Sequence, residues 1–338
     1  MNSELIYNVD GYHFQIPVSN VGKYLLDANL KGVSKLKFKA RVLLEEKRAR
    51  AMIRRAIQKK ECCLGPFKGE FGHFLAHVLP FVMYLHKKGV KIHYLGMGLH
   101  KPFMVDEEGE TLVHQYYSLR DFFTEIAPNC NSTIPPDDVM KEINRVEQLF
   151  ERKNVPYIDI DGEFYYWFVH RHLILEDSHT HVYDLSKLFA GGKQNSCAIF
   201  TRNKGGEGSL NNGGAWDYDA IIDDLLKVFD KVYVCGHPRQ SLRITEREGV
   251  EHRVSFDNSV ILEAASKSKL LITQHSGVCY LGNYTSSDVL VIYNGGDKIE
   301  DIGSMNNTLH FRKGIKGNSS LNFAFSRSEI CERIEIYK

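Results

Sequence analysis

The sequence predicts an α/β protein built from two doubly wound units with parallel sheets. Three observations carry this prediction. Leu270–Gly295 (LLITQHSGVCYLGNYTSSDVLVIYNG) has two short apolar runs, Leu270–Thr273 and Val289–Tyr293, bracketing small, polar and helix-compatible residues. That is the pattern of strand, tight turn, short helix and parallel strand in a buried sheet. Glu61–Leu95 gives a second such unit, with a Gly-rich loop between strand and helix. Between them, Cys197–Phe200, Asp219–Phe229 and Lys231–Cys235 read as strand, helix and strand, an alternation that builds doubly wound sheets.

The totals set the frame. The 338 residues suit two domains, and 43% hydrophobic with 25% charged content is ordinary for a globular chain. No apolar run is long enough to span a bilayer, and MNSELIYNVDGYHF lacks a basic-then-apolar signal pattern, so a cytoplasmic protein is expected. The cysteines are Cys62, Cys63, Cys130, Cys197, Cys235, Cys279 and Cys331, with no CxxC pair. Most lie in apolar runs, which argues for reduced, buried thiols rather than a disulfide framework or a zinc site. A formal net charge of +1 argues against nucleic acid as a partner of the whole chain.

In chain order, residues 1–58 read as a preamble: β-type segments at Leu5–Val9 and Tyr12–Val18, then a basic helix. Lys31–Lys60 carries twelve Lys or Arg against Glu45 and Glu46. A solvated helix face is one reading; contact with an anionic membrane surface or an acidic partner is the other. Val42, Leu43, Leu44, Met52, Ile53 and Ile57 do not form one clean stripe. Next comes Glu61–Leu64, the loop Gly65–His73, and a helix marked by Phe71, Phe74, Leu75, Val78, Leu79 and Val82. Pro80 should kink that helix or end its first half, and Lys87-Lys88-Gly89 should stop it. Val90–Leu95 is a strand, and Ser118–Ile126 and Pro136–Lys153 are expected helices, the latter with Asp137 and Asp138 at its start. The alternation from Tyr157 suggests a hairpin turning near Asp161-Gly162. The domain crossover is placed at 154–195, ending in the Gly191-Gly192 break. Short helices are expected at Ser259–Ser266 and Ser326–Glu335.

Ligands of open parallel sheets bind at the carboxyl ends of the strands. In the second unit those ends supply Arg202, Asn203, Lys204 and Gly205, then His237 and Arg239, then Gln274, His275, Ser276 and Gly277. Basic side chains and the free N–H groups of a helix start thus gather on one rim, which suits an anionic ligand such as a nucleoside diphosphate. Taken singly, each of these charges also reads as an ordinary loop charge. In the first unit, Gly65, Gly69 and Gly72 permit close approach of a ligand. Glu70 and His73 stand where strand gives way to helix, so either is a candidate general base; capping by Glu70 and packing by His73 is the structural alternative. Neither GxGxxG nor GxxxxGK[ST] is present.

Two patterns suggest metal more weakly. Asp159 and Asp161 form a D-x-D inside an aromatic alternation. His170, His172, His179 and His181 form two H-x-H pairs around Glu176 and Asp177. Such short strings arise by chance, and no metal or other cofactor is expected. His73 and His77 lack the Glu of HExxH.

The stretches GPFKGEFGHF (Gly65–Phe74), FTRNKG (Phe200–Gly205), CGHPR (Cys235–Arg239) and QHSGVCYLG (Gln274–Gly282), set in two successive α/β units, resemble the GT-B fold of nucleotide-sugar glycosyltransferases. The resemblance covers roughly residues 60–300. It implies two Rossmann-like domains facing across a cleft: an acceptor-side domain at 59–190 and a nucleotide-sugar-binding domain at 191–338. Arg202, Lys204, Ser276 and Gly277 would then carry phosphate, with Asn203, Gly205, Arg239, Gln274 and His275 beside them and His237 near base or ribose. The loop holding Lys68, Gly69 and Gly72 would face the acceptor, whose hydroxyl Glu70 or His73 would deprotonate. Cations and helix N–H groups would stabilise the leaving diphosphate without a metal. The acid often used to hold the donor ribose has no obvious counterpart, Glu263 being the nearest. The expectation is a sugar transferase acting on a glycan or other hydroxyl acceptor. A nucleotide-sugar epimerase and a non-catalytic nucleotide-binding module are the competing readings.

Overall fold

The computed structural model describes residues 4–9, 12–17, 32–67, 71–121, 136–160, 182–202, 216–274, 276–293 and 321–338. Among the described residues an antiparallel pair comes first: β1 (Glu4–Val9) and β2 (Tyr12–Pro17), with Val9 opposite Tyr12. The basic segment is one helix, α1 (Gly32–Lys59).

The first parallel sheet has the order β5-β4-β3-β6, from β3 (Glu61–Phe67), β4 (Lys91–Met97), β5 (Gln115–Leu119) and β6 (Tyr157–Ile158). β3 runs three residues beyond the expected strand, with a register shift between Leu64 and Phe67. Gly65 is therefore part of the strand, where a Cβ would lie 2.2 Å from the Leu95 carbonyl oxygen. The helix after it is composite: α2 (Phe71–His73), a π-helical turn (Phe74–Val78) and α3 (Leu79–Lys87). The break expected from Pro80 takes this form. The proline stands in the first turn of α3, where its missing N–H costs no hydrogen bond, and the widened turn precedes it. Gly89, at φ +71°, ends the helix.

Two expectations are corrected here. Ser118 and Leu119 belong to β5 rather than to a helix, because Gln-Tyr-Tyr-Ser-Leu pairs in register with β4 and its aromatic residues favour the pleated conformation. Tyr157 and Ile158 form the edge strand parallel to β3 instead of opening a hairpin; the hairpin's expected turn, Asp161-Gly162, lies outside the described residues. α4 (Asp137–Arg152) covers the sheet with Val139, Ile143, Val146 and Phe150, and Asp137 and Asp138 sit in its first turn, where they complement the helix dipole.

The second sheet is also parallel, in the order β12-β11-β10-β7-β8-β9. Its strands are β7 (Ser196–Phe200), β8 (Lys231–Gly236), β9 (Val250–Val254), β10 (Leu270–Gln274), β11 (Asp288–Ile292) and β12 (Leu321–Ala324). The helices between and after them are α5 (Tyr218–Leu225), α6 (Asn258–Lys267), α7 (Gly282–Thr285) and α8 (Arg327–Ile334). Asp217 caps α5 by accepting from Ala220 N–H at 3.0 Å, and Asp257 caps α6 by accepting from Ser259 N–H at 2.9 Å.

Alternation along the strands sorts the core into layers. Cys197, Ile199, Ile272 and Leu290 face α5 and α8. Cys63, Leu95 and Met97 face α4. The opposite faces of both sheets belong to one continuous cluster that runs through the helices covering them, with Leu64, Ile92 and Phe74 from the first unit and Ala198, Tyr233, Leu271 and Phe323 from the second. Burial of both faces is what a parallel sheet requires.

Candidate functional site: a cleft between opposing strand ends

The carboxyl ends of the two sheets point at one another. Three contacts fix this relation. Gly72, in α2, lies against Gly277, which opens the 3-10 turn Gly277–Leu281 after β10; a Cβ on either would come within 2.4 Å of the other's Cα. The Tyr284 hydroxyl donates to the Leu75 carbonyl, a buried bond across the seam. Asn258, at the start of α6, donates to the Leu99 carbonyl at 3.1 Å. The absence of a side chain at Gly72, read from the sequence as room for a ligand, is filled by the backbone of Gly277. The turn that begins at Gly277 is a 3-10 turn rather than a regular α-helix.

Beside this seam is a cavity of about 420 Å³, walled by Gly98, Leu99, Pro102 and Asp121 from the first sheet and by Arg239, Phe256, Asp257 and Asn258 from the second. Each wall follows a strand end: β4 and β5 on one side, β8 and β9 on the other. Phe256 is 59% exposed, unusual for so large an apolar ring. His237 meets it edge-on at 4.9 Å between centroids, and the Arg239 guanidinium lies 5.9 Å from its centre. Phe256 thus has an imidazole against it and a cation over its ring, and its exposed surface offers a planar, electron-rich ring a place to stack.

His237 is a neutral donor in this setting. Burial, and then the charge of Arg239, hold its pKa below the ordinary histidine value. Its Nδ1 accepts from the Arg239 N–H at 3.2 Å, so the ring proton sits on Nε2, and Nε2 has no hydrogen-bond partner in the structure. Along the rim, buried Gln274 donates through Nε2 to the Tyr218 hydroxyl at 2.8 Å, and its Oε1 is unpartnered. Burial raises the Tyr218 pKa, while the Arg202 backbone, Gln274 and the Arg202 charge act in the opposite sense, which places Arg202 beside Tyr218. Thr273 Oγ1 lies 3.1 Å from Ser276 Oγ, fixing the turn that follows β10. Arg202, His237, Arg239, Gln274, Ser276 and Gly277 thus all stand at carboxyl ends of one sheet.

Glu263 has a different setting from the one the sequence suggested. It binds Lys267 one turn on and lies 3.8 Å from Arg253, and Lys267 holds its carboxyl below the usual range. The carboxylates that line the cavity are Asp257 and Asp121. Sequence reading missed these residues along with Phe256 and Asn258. The signal was present in Ser255-Phe256-Asp257-Asn258 before an apolar run, an N-cap signature.

Behind the first wall, His100 is wholly buried, stacked on Phe74 at 4.0 Å and 11°, with both ring nitrogens unpartnered. Burial takes its pKa down to about 3. Lys68, Gly69, Glu70, Asn203, Lys204, Gly205 and His275 lie outside the described residues, as do Asp161, His170, His172, His179, His181 and the side chain of His73. Among the described residues, no group of three or more His, Cys, Asp or Glu side chains is placed to hold a metal ion.

No protein-family model matches the sequence, and no curated protein matches it at the sequence level. Its backbone is similar to solved structures. E. coli heptosyltransferase WaaC with ADP superposes at a TM-score of 0.50 and 10% identity, over 82% of this chain and 99% of that one. WaaC with ADP-2-deoxy-2-fluoro heptose gives 0.50 and 8% over the same shares. A glycosyl transferase family 9 structure from Veillonella parvula DSM 2008 gives 0.46 and 12%, over 81% and 89%. With two parallel sheets facing across a cleft and the two WaaC structures as neighbours, the chain has the GT-B fold of the glycosyltransferases.

Proposed function

We propose that this protein is a glycosyltransferase that moves a sugar from a nucleoside-diphosphate sugar to a hydroxyl acceptor in surface-glycan synthesis. The observation that carries the reading is the cleft itself: an exposed Phe256 flanked by His237 and Arg239, at the ends of the strands that also present Arg202 and Gln274. In this reading the base stacks on Phe256, His237 donates Nε2–H to base or ribose, and Arg202 and Lys204 meet the diphosphate. The Ser276–Gly277 backbone supplies further donors. Glu70, or His73, takes the proton of the acceptor hydroxyl; its oxygen forms the new bond to the anomeric carbon as the bond from that carbon to the diphosphate oxygen breaks. The diphosphate leaves with the bonding electrons, and the cationic rim stabilises it. No divalent ion is needed for this, so turnover should survive EDTA.

The neighbours solved with ADP and an ADP-heptose analogue make ADP-linked sugars the first donors to test. Nucleoside diphosphates are titrated into wild type and Phe256→Ala by calorimetry, and labelled nucleotide sugars are incubated with and without acceptor glycans. Loss of the ring should weaken the preferred nucleotide roughly 5- to 100-fold, the range for stacking on an aromatic side chain. Equal affinity in both proteins overturns the assignment of Phe256. Sugar isomerised without acceptor makes the protein an epimerase, and nucleotide binding with no turnover makes it a binding module.

A further inference from the structure

We propose that α1 is a membrane-docking helix whose outward face lies on an anionic lipid surface. This inference is independent of the donor site. Ten Lys or Arg against two Glu give Gly32–Lys59 a charge of +8, while the whole chain is +1, so the remainder carries −7. Charge is therefore segregated onto one element.

The structure defines which face of that element is exposed. Ala49, Ile53 and Ala56 are buried against the first sheet's core. Arg55 donates to the Asn154 side chain at 2.7 Å and Lys59 to the Asn154 carbonyl at 2.5 Å, which fastens the carboxyl half of the helix. At about 100° per residue, the exposed positions other than the terminal Gly32 and Lys59 fall within roughly 60° on either side of a line through Val33. The centre of that face is apolar or small apart from Gln58: Val33, Ala40, Leu44 and Ala51. Bases border it, Lys37 and Arg48 on one side, Lys47 and Arg54 on the other. Val33 and Leu36 are each 68% exposed and Leu44 is 48% exposed; these are three of the six large exposed apolar side chains among the described residues.

An apolar ridge bordered by Lys and Arg matches a bilayer interface, where the ridge enters the acyl boundary and the bases meet anionic headgroups. An acidic protein surface would engage the bases but give no reason for exposed Val33, Leu36 and Leu44. No helix among the described residues is long and apolar enough to cross a membrane, so α1 lies on the surface. The sequence alone hid this face, because its apolar residues point both ways around the helix.

The test is co-sedimentation of the full chain with vesicles of phosphatidylcholine, with and without about one-third phosphatidylglycerol. Binding should require the anionic lipid and weaken as salt rises. Lys47→Glu with Arg54→Glu should lower partitioning at least about twentyfold, taking about fivefold per lost charge. Val33→Ser with Leu44→Ser should lower it about tenfold at low salt by removing the inserted ridge. All these side chains are exposed, so unchanged melting curves confirm that the fold is intact. Equal binding to both vesicle types, or none, overturns the proposal. So does a serine pair that binds as tightly as wild type while charge reversal abolishes binding, the pattern of an electrostatic contact with an acidic macromolecule.

Discussion

Adding one methyl group at Gly277 gives a direct test of the seam. A Cβ there would lie 2.2 Å from Gly72 Cα and 2.4 Å from Gly72 N, both main-chain atoms that cannot swing aside. Ordinary carbon contacts are about 3.5–4.0 Å, so α2 and the turn after β10 must separate by about 1.5 Å. Overpacking of this kind costs about 1–3 kcal/mol, enough to lower the melting temperature by several degrees. The catalytic consequence should be larger. Glu70 is two residues before Gly72, and Gln274 is three before Gly277, so the proposed base and the donor rim shift relative to each other. A misplacement of about 1 Å can cost on the order of 100-fold in rate. Gly277→Ala is compared with Gly98→Ala, whose Cβ meets only Ser118 Oγ at 3.4 Å, in thermal melts, and with wild type in single-turnover sugar transfer. A Gly277→Ala protein with wild-type melting and turnover would refute the claim that this contact sets the cleft.

Three further outcomes are expected. His100 has its folded pKa taken down to about 3 by burial, so its stability contribution is full above the unfolded value near 6.5 and is lost as pH falls towards 3, at about 1.4 kcal/mol per pH unit; urea melts of wild type and His100→Leu at pH 7 and pH 5 should diverge, and parallel behaviour would show that this histidine does not resist protonation. Tyr284→Phe leaves the buried Leu75 carbonyl without its donor across the seam and should cost about 1–3 kcal/mol in denaturant unfolding. Asp257→Asn should melt like wild type because Asn caps a helix as well as Asp does, whereas Asp257→Ala should lose about 1 kcal/mol; the Asn variant then reports on the cavity's charge alone when nucleotides are titrated.

The buried strands were the most legible part of the chain. β3, β4, β7, β8, β10 and β11 are short runs of Val, Ile, Leu, Tyr and Cys bounded by glycine or charge, and continuous burial leaves that mark. The edges were not legible. β9 reads Val-Glu-His-Arg-Val, because Glu251 and Arg253 face solvent and each other, and β12 is four residues, Leu321–Ala324, with a polar Asn inside. With β9 unseen, the loop at its carboxyl end was unseen too, so Phe256, Asp257 and Asn258 went unread although the basic rim beside them was recognised. Glu263 illustrates a different limit. Its type and rough position suited a ribose contact, but Lys267 one turn away and Arg253 on the adjacent strand claim its charge, and neither pairing is evident without the fold.

The core shared by the two sheets bears on modularity. Two α/β halves around a cleft invite exchange, one half for each substrate, by cutting at Gly191-Gly192. In this chain the apolar faces of both sheets belong to one cluster, joined where α2 and the π-helical turn meet the Gly277–Leu281 turn. A graft that keeps either half must also keep the side chains at that junction, Phe74 and Leu75 on one side, Cys279 and Leu281 on the other. New substrate preferences are therefore more accessible through the loops at the strand ends than through exchange of whole halves.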